Sequence, residues 1–259
     1  MINILQFLFY TGLFGLFYLC VRFYVKNRNT EYEFTSIINH TFRTPLTRIN
    51  WISKELEDIN ISREDRIKYI QNLNNATNKL LEIVDLIVGI KDINNKDGFF
   101  LEETSFRNIV ENSISRYKED INKKNINFQI SSFQTIPPLT LDLKKITFAV
   151  DSLIENAIVY TPPEGKILID CIFKEKKNKI IFFIQDTGIG LTFSEKLKIF
   201  SRFYRGDKAK IFYPDGMGLR LYLSEQIVNR HKGKIYAKSE GRDNGSVFFM
   251  ELPVHLSQS

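Results

Sequence analysis

His40 is the residue whose type and surroundings best suit covalent chemistry. It opens the string HTFRTPL. In a helix of 3.6 residues per turn it lies about 160° from Phe42, so an apolar stripe that contains Phe42 and Leu46 turns the imidazole towards solvent. A neutral imidazole offers a nucleophilic nitrogen to a phosphoryl donor, and Pro45, which lacks an N–H, is expected to bend the helix just beyond it. An exposed helical histidine is more often inert, so the other segments must decide between these interpretations.

Three later segments carry groups that suit a nucleotide and a metal ion. Glu155 and Asn156 are adjacent on a predicted helix, where their oxygens can face a hard cation such as magnesium. Asp186 ends an apolar strand and can accept a hydrogen bond from an amino group on a base. Gly216 and Gly218 precede a helix whose N–H groups and positive dipole end favour phosphate. Each segment alone is weak, because such patterns are usually solvated surface or ordinary turns.

Two amphipathic helices must position His40. Between Thr30 and Asp58 the apolar residues recur every three or four positions, which is the helical period. Ser62 and Asp65 form a capping-box pattern that opens a second run of this kind. Two such helices on a short loop cannot bury their apolar stripes alone, so we expect a second copy to complete a four-helix bundle in a homodimer.

The remainder of the chain predicts a two-layer α/β sandwich. A polar stretch from Asn94 to Gly98 is typical of a linker between domains. The periodicity then predicts helices and strands in alternation. The predicted helices cover residues 106–121, 146–157 and 219–230, and the predicted strands cover residues 126–131, 166–173, 179–185, 234–238 and 246–252.

The first residues of the chain predict a membrane anchor. From Met1 to Val21 there is no charged side chain, and the run has about the length that a helix needs to cross a bilayer. Arg22, Lys26 and Arg28 follow, and basic residues beside a span tend to stay in the cytoplasm. We therefore expect a single pass through the inner (cytoplasmic) membrane, a cytoplasmic catalytic part and no extracytoplasmic sensor domain. A buried core helix is the alternative interpretation.

Composition excludes some other classes of protein. The net charge of +6 comes from 36 basic and 30 acidic residues that are interleaved along the chain, so no nucleic-acid partner is expected. Cys20 and Cys171 have neither metal-ligand nor disulfide spacing, which favours a reduced compartment. His231 and His255 lack the context of His40, and we expect structural roles for both, with His231 as a cation that suits a helix C-terminus.

Five strings in register resemble the motifs of sensor histidine kinases. HTFRTPL is similar to the phospho-acceptor box of that family, SLIENAIVYTP to its N box and DTGIG to its first glycine box. KIFSRFYRGD is similar to its phenylalanine box and GMGLRL to its second glycine box. The resemblance covers about residues 31–253 and implies a dimeric helical bundle, followed by the ATP-binding fold that gyrase and one class of heat-shock chaperones share.

The resemblance also implies which residues bind the base and the metal ion. Asn156 matches the magnesium ligand, and Glu155 beside it is a candidate acid for positioning water. Asp186 matches the residue that binds the adenine amino group, while Tyr160 is expected to pack against the base. The floor of the pocket would be shaped by two glycines, Gly188 and Gly190.

A second set of matched residues concerns the phosphates and the partner protein. Gly216, Gly218 and the adjoining Leu219 would surround the phosphates under a mobile lid. Thr44 matches the position that orients water when the partner protein is dephosphorylated. The lid would include Phe200 and Phe203, and two arginines are candidate contacts for phosphate or for domain docking, Arg202 and Arg205.

Four positions depart from the pattern of the family. Thr41 replaces the acid after the histidine, whose carboxylate is expected to take the imidazole proton, so a hydroxyl there predicts slow autophosphorylation. Ser152 replaces the first asparagine of the N box and Val159 its basic residue, which removes a charge-assisted contact worth about 1.5–3 kcal/mol. Arg220 replaces a glycine. It can either supply the missing charge or crowd the lid helix and weaken ATP binding.

Taken together, the resemblance predicts a membrane-anchored kinase that uses ATP and Mg²⁺ to phosphorylate His40. An aspartate on a response regulator then takes the phosphoryl group. The implied domains are a transmembrane anchor (residues 1–22), a dimerisation and phosphotransfer hairpin (residues 23–93) and a catalytic ATP-binding domain (residues 101–255). The alternative is a degenerate kinase that acts as a nucleotide-sensing scaffold or as a phosphatase for its regulator.

Overall fold

The computed structural model describes residues 39, 41–58, 61–94, 99–131, 135–214 and 216–254. His40, Asp215, His255 and the predicted membrane span lie outside the described residues. No helix within the described residues is long and apolar enough to cross a membrane. The chain divides into two compact units, Met1–Ile83 and Val84–Ser259.

The first unit contains the predicted helical hairpin. Helix α1 covers residues 41–56 and continues through Pro45, and helix α2 covers Arg63–Asn94, so that it reaches into the second unit. Ser62 caps α2 as predicted, since its Oγ accepts a hydrogen bond from the N–H of Asp65 at 3.0 Å. Its hydroxyl also donates to the Asp65 carboxylate at 2.7 Å. This bond to the carboxylate adds to the cap.

Part of the apolar stripe of this hairpin is exposed in the single chain. Ile52, Ala76 and Ile83 are buried. Leu46, which the helical period places in the buried stripe, is half exposed. It is one of several large apolar side chains of this unit that are 45–58% exposed: Leu46, Trp51, Ile67, Ile70 and Leu81.

The second unit contains a five-stranded mixed sheet with helices on one face. The strand order is β2-β4-β5-β7-β6, in which β2 runs parallel to β4 and all other neighbours are antiparallel. A separate two-stranded antiparallel pair joins β1 to β3. The strands are β1 Glu102–Thr104, β2 Asn127–Ile130, β3 Leu139–Leu141, β4 Lys166–Lys174, β5 Lys179–Asp186, β6 Lys234–Lys238 and β7 Ser246–Pro253.

The helices of this unit confirm the predicted periodicity with two differences. The run from residue 106 to residue 121 is broken at Tyr117 into two helices, and two helices of four and six residues after β5 were not predicted. Short helices of this kind carry no full apolar period, so the sequence pattern cannot reveal them. The helices are α3 Phe106–Arg116, α4 Lys118–Lys123, α5 Leu143–Tyr160, α6 Phe193–Lys196, α7 Asp207–Phe212 and α8 Arg220–Arg230.

The core lies between the sheet and helices α3, α5 and α8. Burial alternates along β5 and β7, so one face of each strand is buried and the other is partly exposed, as in a two-layer sandwich. Phe182 on β5 and Phe106 on α3 meet edge to face, with ring centroids 5.4 Å apart. The apolar side chains of α5 complete the core: Ile146, Val150, Leu153, Ile154 and Ala157.

Lys124 anchors the C-terminal end of α5. Its Nζ donates hydrogen bonds to the carbonyl oxygens of Ile158, Val159 and Thr161 at 2.7, 2.9 and 3.1 Å. The last carbonyls of a helix have no partners within it, and they carry the negative end of the helix dipole. Burial lowers the pKa of Lys124. This lysine, which lies just before β2, therefore holds the end of the helix that carries Asn156.

His231 joins the C-terminus of α8 to the N-terminus of α5. The side chain is buried, and its Nδ1 lies 2.8 Å from the carbonyl oxygen of Ile227, to which it must donate. Its Nε2 accepts a hydrogen bond from the N–H of Asp142 at 3.0 Å. An imidazole with one donating and one accepting nitrogen is neutral. The structural role is confirmed, but the expectation of a cation at the helix end is wrong, because burial lowers the pKa of His231.

The neutral imidazole predicts a pH dependence of stability. A lowered folded-state pKa contributes stability that is present above the ordinary pKa of 6.5 and is lost as the pH falls through the folded-state value. His231→Leu leaves the Asp142 N–H without an acceptor, so at pH 8 we expect it to lower the free energy of unfolding by about 1–3 kcal/mol.

Urea unfolding of both proteins between pH 8 and pH 5 tests this expectation. The difference between their free energies of unfolding should narrow as the pH falls, because only the wild type contains this histidine, whose protonation destabilises the folded state. The contributions of carboxylates that both proteins contain cancel in this difference of unfolding free energies. A gap that stays constant over this range would contradict the buried neutral tautomer.

Candidate functional site

Asp186 lies at the end of β5 and is the central residue of a polar site. The residue is only 5% exposed. One carboxylate oxygen accepts a hydrogen bond from the N–H of Gly188 at 2.8 Å, and the other accepts from the hydroxyl of Ser246 at 2.6 Å. Burial raises the pKa of Asp186, and the hydrogen bonds from Ser246 and Gly188 oppose that rise. The carboxylate is thus held in one orientation.

Ser246 is a part of this site that the sequence did not reveal. It begins β7, and the register of the sheet places it directly opposite Asp186 on β5. The only sequence signal is its position at the start of a predicted strand, and that signal does not indicate which strand lies alongside. Its contact with Asp186 follows from strand order.

The loop that follows Asp186 packs against the end of α5. The N–H of Ile189 donates to the carbonyl oxygen of Tyr160 at 3.3 Å. A Cβ atom on Gly188 would lie 2.4 Å from that same carbonyl oxygen and 2.7 Å from the Asp186 carboxylate. Only glycine allows this approach. The backbone of Tyr160 therefore lies against Asp186 and Gly188, whereas Gly190 pairs with Arg242 in an isolated bridge.

Helix α5 presents Glu155 and Asn156 next to the start of α8. Oε2 of Glu155 lies 2.7 Å from Nη2 of Arg220, the first residue of α8. The hydroxyl of Tyr117 also donates to this carboxylate, at 3.4 Å. Burial, and then the charge of Glu155, raise the pKa of Tyr117 well above its usual range. The sequence indicated neither of these partners of Glu155.

Arg205 organises the backbone of the segment before α8. Its guanidinium donates hydrogen bonds to the carbonyl oxygens of Pro214 at 2.9 Å and Ala209 at 3.0 Å, and also to that of Tyr213. Arg202 lies over the rings of Phe203 and Tyr222, 5.4 and 5.9 Å from their centroids. The predicted phosphate contacts of both arginines stay predictions.

The turn at Gly218 leads into the N-terminus of α8. Gly218 has a φ of +68°, in the left-handed region that side chains disfavour. Its carbonyl oxygen accepts a hydrogen bond from Phe203 at 3.0 Å, which joins the turn to the predicted lid. Leu219 is the N-cap of α8 and has no side-chain cap bond, and the first turn of α8 contains no acidic residue. Such a helix end favours an anion.

The donors around Asn156 fit magnesium only if a nucleotide brings ligands with it. Within the described residues there is no group of three or more His, Cys, Asp or Glu side chains that could hold a metal ion. The Glu155 carboxylate beside Asn156 already pairs with Arg220. Magnesium commonly binds through one or two side chains together with substrate phosphates and water. The amide oxygen of Asn156 suits that role.

The chain is similar to a known ATPase family and to known sensor kinases. Residues 141–256 match the family described as histidine kinase-, DNA gyrase B- and HSP90-like ATPase. The sensor protein kinase WalK of Staphylococcus haemolyticus is 30% identical over 232 residues, which cover 86% of this chain and 37% of that protein. The chain thus spans little more than a third of the length of this curated relative.

Solved structures share the fold over most of the chain. The Acinetobacter baumannii histidine kinase AdeS superposes with a TM-score of 0.65 at 21% identity, covering 84% of this chain and 98% of that chain. The histidine kinase ThkA, in a crystal structure with the response regulator protein TrrA, gives a TM-score of 0.65 at 24% identity, covering 86% of this chain and 61% of that one. At these identities the likeness shows the fold.

The close approach at Gly188 yields a stability prediction. In Gly188→Ala the new methyl group would meet a backbone carbonyl, which cannot move aside as a side chain can. We expect the free energy of unfolding to fall by about 1–3 kcal/mol. Gly216→Ala is the matched control, because the nearest atoms to its Cβ belong to the side chains of Tyr213 and Arg205, at 3.1–3.2 Å. Equal losses in both variants, measured by urea unfolding, would contradict this packing.

Proposed function

We propose that this chain, a member of the sensor histidine kinase family, transfers the γ-phosphoryl group of ATP to its own His40 and from there to a response regulator. The single observation that carries the proposal is the buried Asp186 carboxylate, oriented by Ser246 and Gly188. The two hydrogen bonds fix the orientation of the carboxylate, and its remaining lone pairs can accept a hydrogen bond from the amino group of a nucleobase. Adenine is the base that the family ATPase binds.

In this proposal the nucleotide binds with its base at Asp186 and its phosphates at the start of α8. Asp186 accepts a hydrogen bond from the adenine amino group, and Tyr160 packs against the base. The phosphates lie at the N-terminus of α8, where Gly216, Gly218 and Leu219 turn backbone N–H groups towards them. Magnesium would be held by Asn156 together with the phosphates, and it would neutralise the charge that develops on the transferred group.

The first chemical step is an in-line displacement at phosphorus. A ring nitrogen of His40 attacks the γ-phosphorus, the bond from this phosphorus to the oxygen bridging it to the β-phosphate breaks, and ADP leaves. The imidazole proton must pass to a base or to water. Thr41, which follows His40 on the helix, is a poor base, so positioning and charge neutralisation carry most of the catalysis.

The second step passes the phosphoryl group to an aspartate of a receiver domain. A carboxylate oxygen of the regulator attacks the phosphorus, and the bond between phosphorus and the His40 nitrogen breaks. The crystal structure of ThkA with TrrA supports a partner of this class. Thr44, which is exposed on α1, orients the water that later hydrolyses the aspartyl phosphate.

A homodimer anchored in the cytoplasmic membrane completes the proposal. The large apolar side chains exposed on the helical hairpin support pairing with a second copy into a four-helix bundle. The uncharged run over residues 1–21, with basic residues after it, supports a single membrane pass with the catalytic part in the cytoplasm.

One observation favours a second candidate function. Position 41, directly after His40, is a threonine that α1 presents half-buried, where a carboxylate would serve as the base. A chain that binds ATP without transferring its phosphoryl group would act as a nucleotide-sensing scaffold, or as a phosphatase that uses Thr44.

Phosphorylation with γ-labelled ATP separates the two functions. We expect the full-length chain to acquire an acid-labile, alkali-stable label, slowly because Thr41 is a weak base. His40→Gln should abolish the label, whereas Asn39→Gln, which changes the neighbouring exposed amide, should retain it. Thr41→Glu should raise the initial rate of labelling because it restores a proton acceptor.

The outcomes of this experiment are distinct. A wild type that binds ATP and stays unlabelled, with label appearing in Thr41→Glu, would assign the scaffold or phosphatase function. Label that persists in His40→Gln would contradict the assignment of the acceptor.

Asp186 yields a separate prediction about nucleotide affinity. Asp186→Asn removes the charged acceptor, so MgATP affinity should fall about tenfold or more, as for loss of a hydrogen bond to a charged group. In the wild type the affinity should fall as the pH is lowered, beginning above the ordinary pKa of 3.8 because burial raises the pKa of Asp186. Titration calorimetry at several pH values measures both effects. Equal affinities for MgATP and MgGTP would contradict a role in binding adenine.

A further inference from the structure

Arg220 forms a charged bridge between two helices of the nucleotide site. Its guanidinium lies 2.7 Å from the Glu155 carboxylate and 5.3 Å from the centroid of the Phe148 ring. Both partners belong to α5, seven residues and thus about two helical turns apart on one face. Each charged side chain of the pair is about one quarter exposed, 26% for the arginine and 24% for the glutamate. An anion arriving from solvent can therefore reach the bridge.

The position of Arg220 on α8 is electrostatically unfavourable by itself. It is the first residue of an eleven-residue helix, where the dipole is positive and repels a cation. The first turn of α8 contains no acidic residue to offset that charge. Glu155 supplies the compensating negative charge from α5. A polyanion at this helix end would offer the guanidinium a second and more highly charged partner.

Two other cations near the site hold backbone, and Arg202 lies over the rings of Phe203 and Tyr222. Lys124 donates to three carbonyl oxygens at the end of α5, and Arg205 donates to three in the segment before α8. Val159, on the last turn of α5, carries no charge. Arg220 differs because its described partner is a carboxylate, which a phosphate group can replace in the same paired hydrogen-bonding geometry.

We propose that Arg220 is the phosphate-binding cation of this site and that it exchanges the Glu155 carboxylate for the phosphates of the bound nucleotide. The inference rests on the proposed function, because it requires ATP at the N-terminus of α8. While the site is empty, Arg220 neutralises Glu155. When a triphosphate binds, the carboxylate beside Asn156 is released.

Two consequences distinguish this exchange from an ordinary ion pair. Arg220 selects nucleotides that carry a β- and a γ-phosphate, and it contributes little to the binding of AMP. Glu155 competes with the nucleotide for the guanidinium, so removing its charge strengthens the binding of ATP. A merely structural bridge would give neither result, because its loss would weaken all nucleotides alike.

Calorimetric titration of the full-length chain with MgATP, MgADP and AMP tests the proposal. In Arg220→Gln the affinity for MgATP should fall about tenfold or more, while the affinity for AMP stays close to that of the wild type. Glu155→Gln should bind MgATP a few-fold more tightly. Arg220→Lys, which keeps the charge but not the paired hydrogen bonds, should lie between Arg220→Gln and the wild type. Arg230→Gln removes one charge from the other end of α8 and should leave all three affinities unchanged.

The results that would overturn the inference are separate from failure of the proposed function. If Arg220→Gln binds MgATP as tightly as the wild type, the arginine does not bind the phosphates. If it binds MgATP more tightly, the arginine obstructs the site. An equal loss of affinity for MgATP and AMP would mean that the bridge is only structural. A wild type that binds no MgATP, while its thermal unfolding shows a folded chain, would overturn the proposed function itself.

Discussion

A carboxylate held under a hydrogen-bonded loop is the constraint on which the nucleotide site depends. Asp186 is buried at the end of β5, where desolvation disfavours its charge. The hydroxyl of Ser246 and the N–H of Gly188 offset part of that cost. Because these donors come from the next strand and from the following loop, the orientation of one carboxylate ties together β5, β7 and the turn that packs against α5.

Helix α5 transmits this arrangement to the phosphate end of the site. Lys124 fixes its C-terminus, and its N-cap residue Asp142 donates its N–H to the neutral His231 at the end of α8. The two helices are therefore joined at one end by an uncharged hydrogen bond and at the other by the Glu155–Arg220 pair. The first contact is buried and structural. The second is partly exposed and charged, which makes it the contact that a nucleotide can change.

The residues that depart from the family pattern differ in whether another residue compensates for them. Val159 leaves the last turn of α5 without a basic residue of its own, while Arg220 brings a cation to the adjoining end of α8. The charge has moved from one helix to its neighbour, which we propose preserves phosphate binding. Thr41 has no such compensation within its own string, so the effect of that departure falls on proton transfer rather than on nucleotide affinity.

The order of the long helices and of the five strands of the main sheet could be predicted from the sequence, because apolar residues recur with periods of 3.6 and 2 wherever one face of an element is buried. The three-residue strands β1 and β3 were not predicted. The motifs likewise predicted a nucleotide site at Asp186, Asn156 and the glycines, and at Gly188 and Gly218 a close approach or a left-handed turn limits the residue type. The break at Tyr117 and the short helices of the lid were beyond that reach, because they contain no full period.

The sequence by itself thus determined which segments fold and which residue types could serve a nucleotide. Only the tertiary structure decided their partners: Ser246 for Asp186, Lys124 for the end of α5, and Glu155 for Arg220. It also decided that His231 is neutral rather than a cation. These three pairs, together with His231 and Asp142, are separated by 34 to 89 positions along the chain. Strand order and helix packing bring them together, and no local pattern encodes the distance between two such side chains.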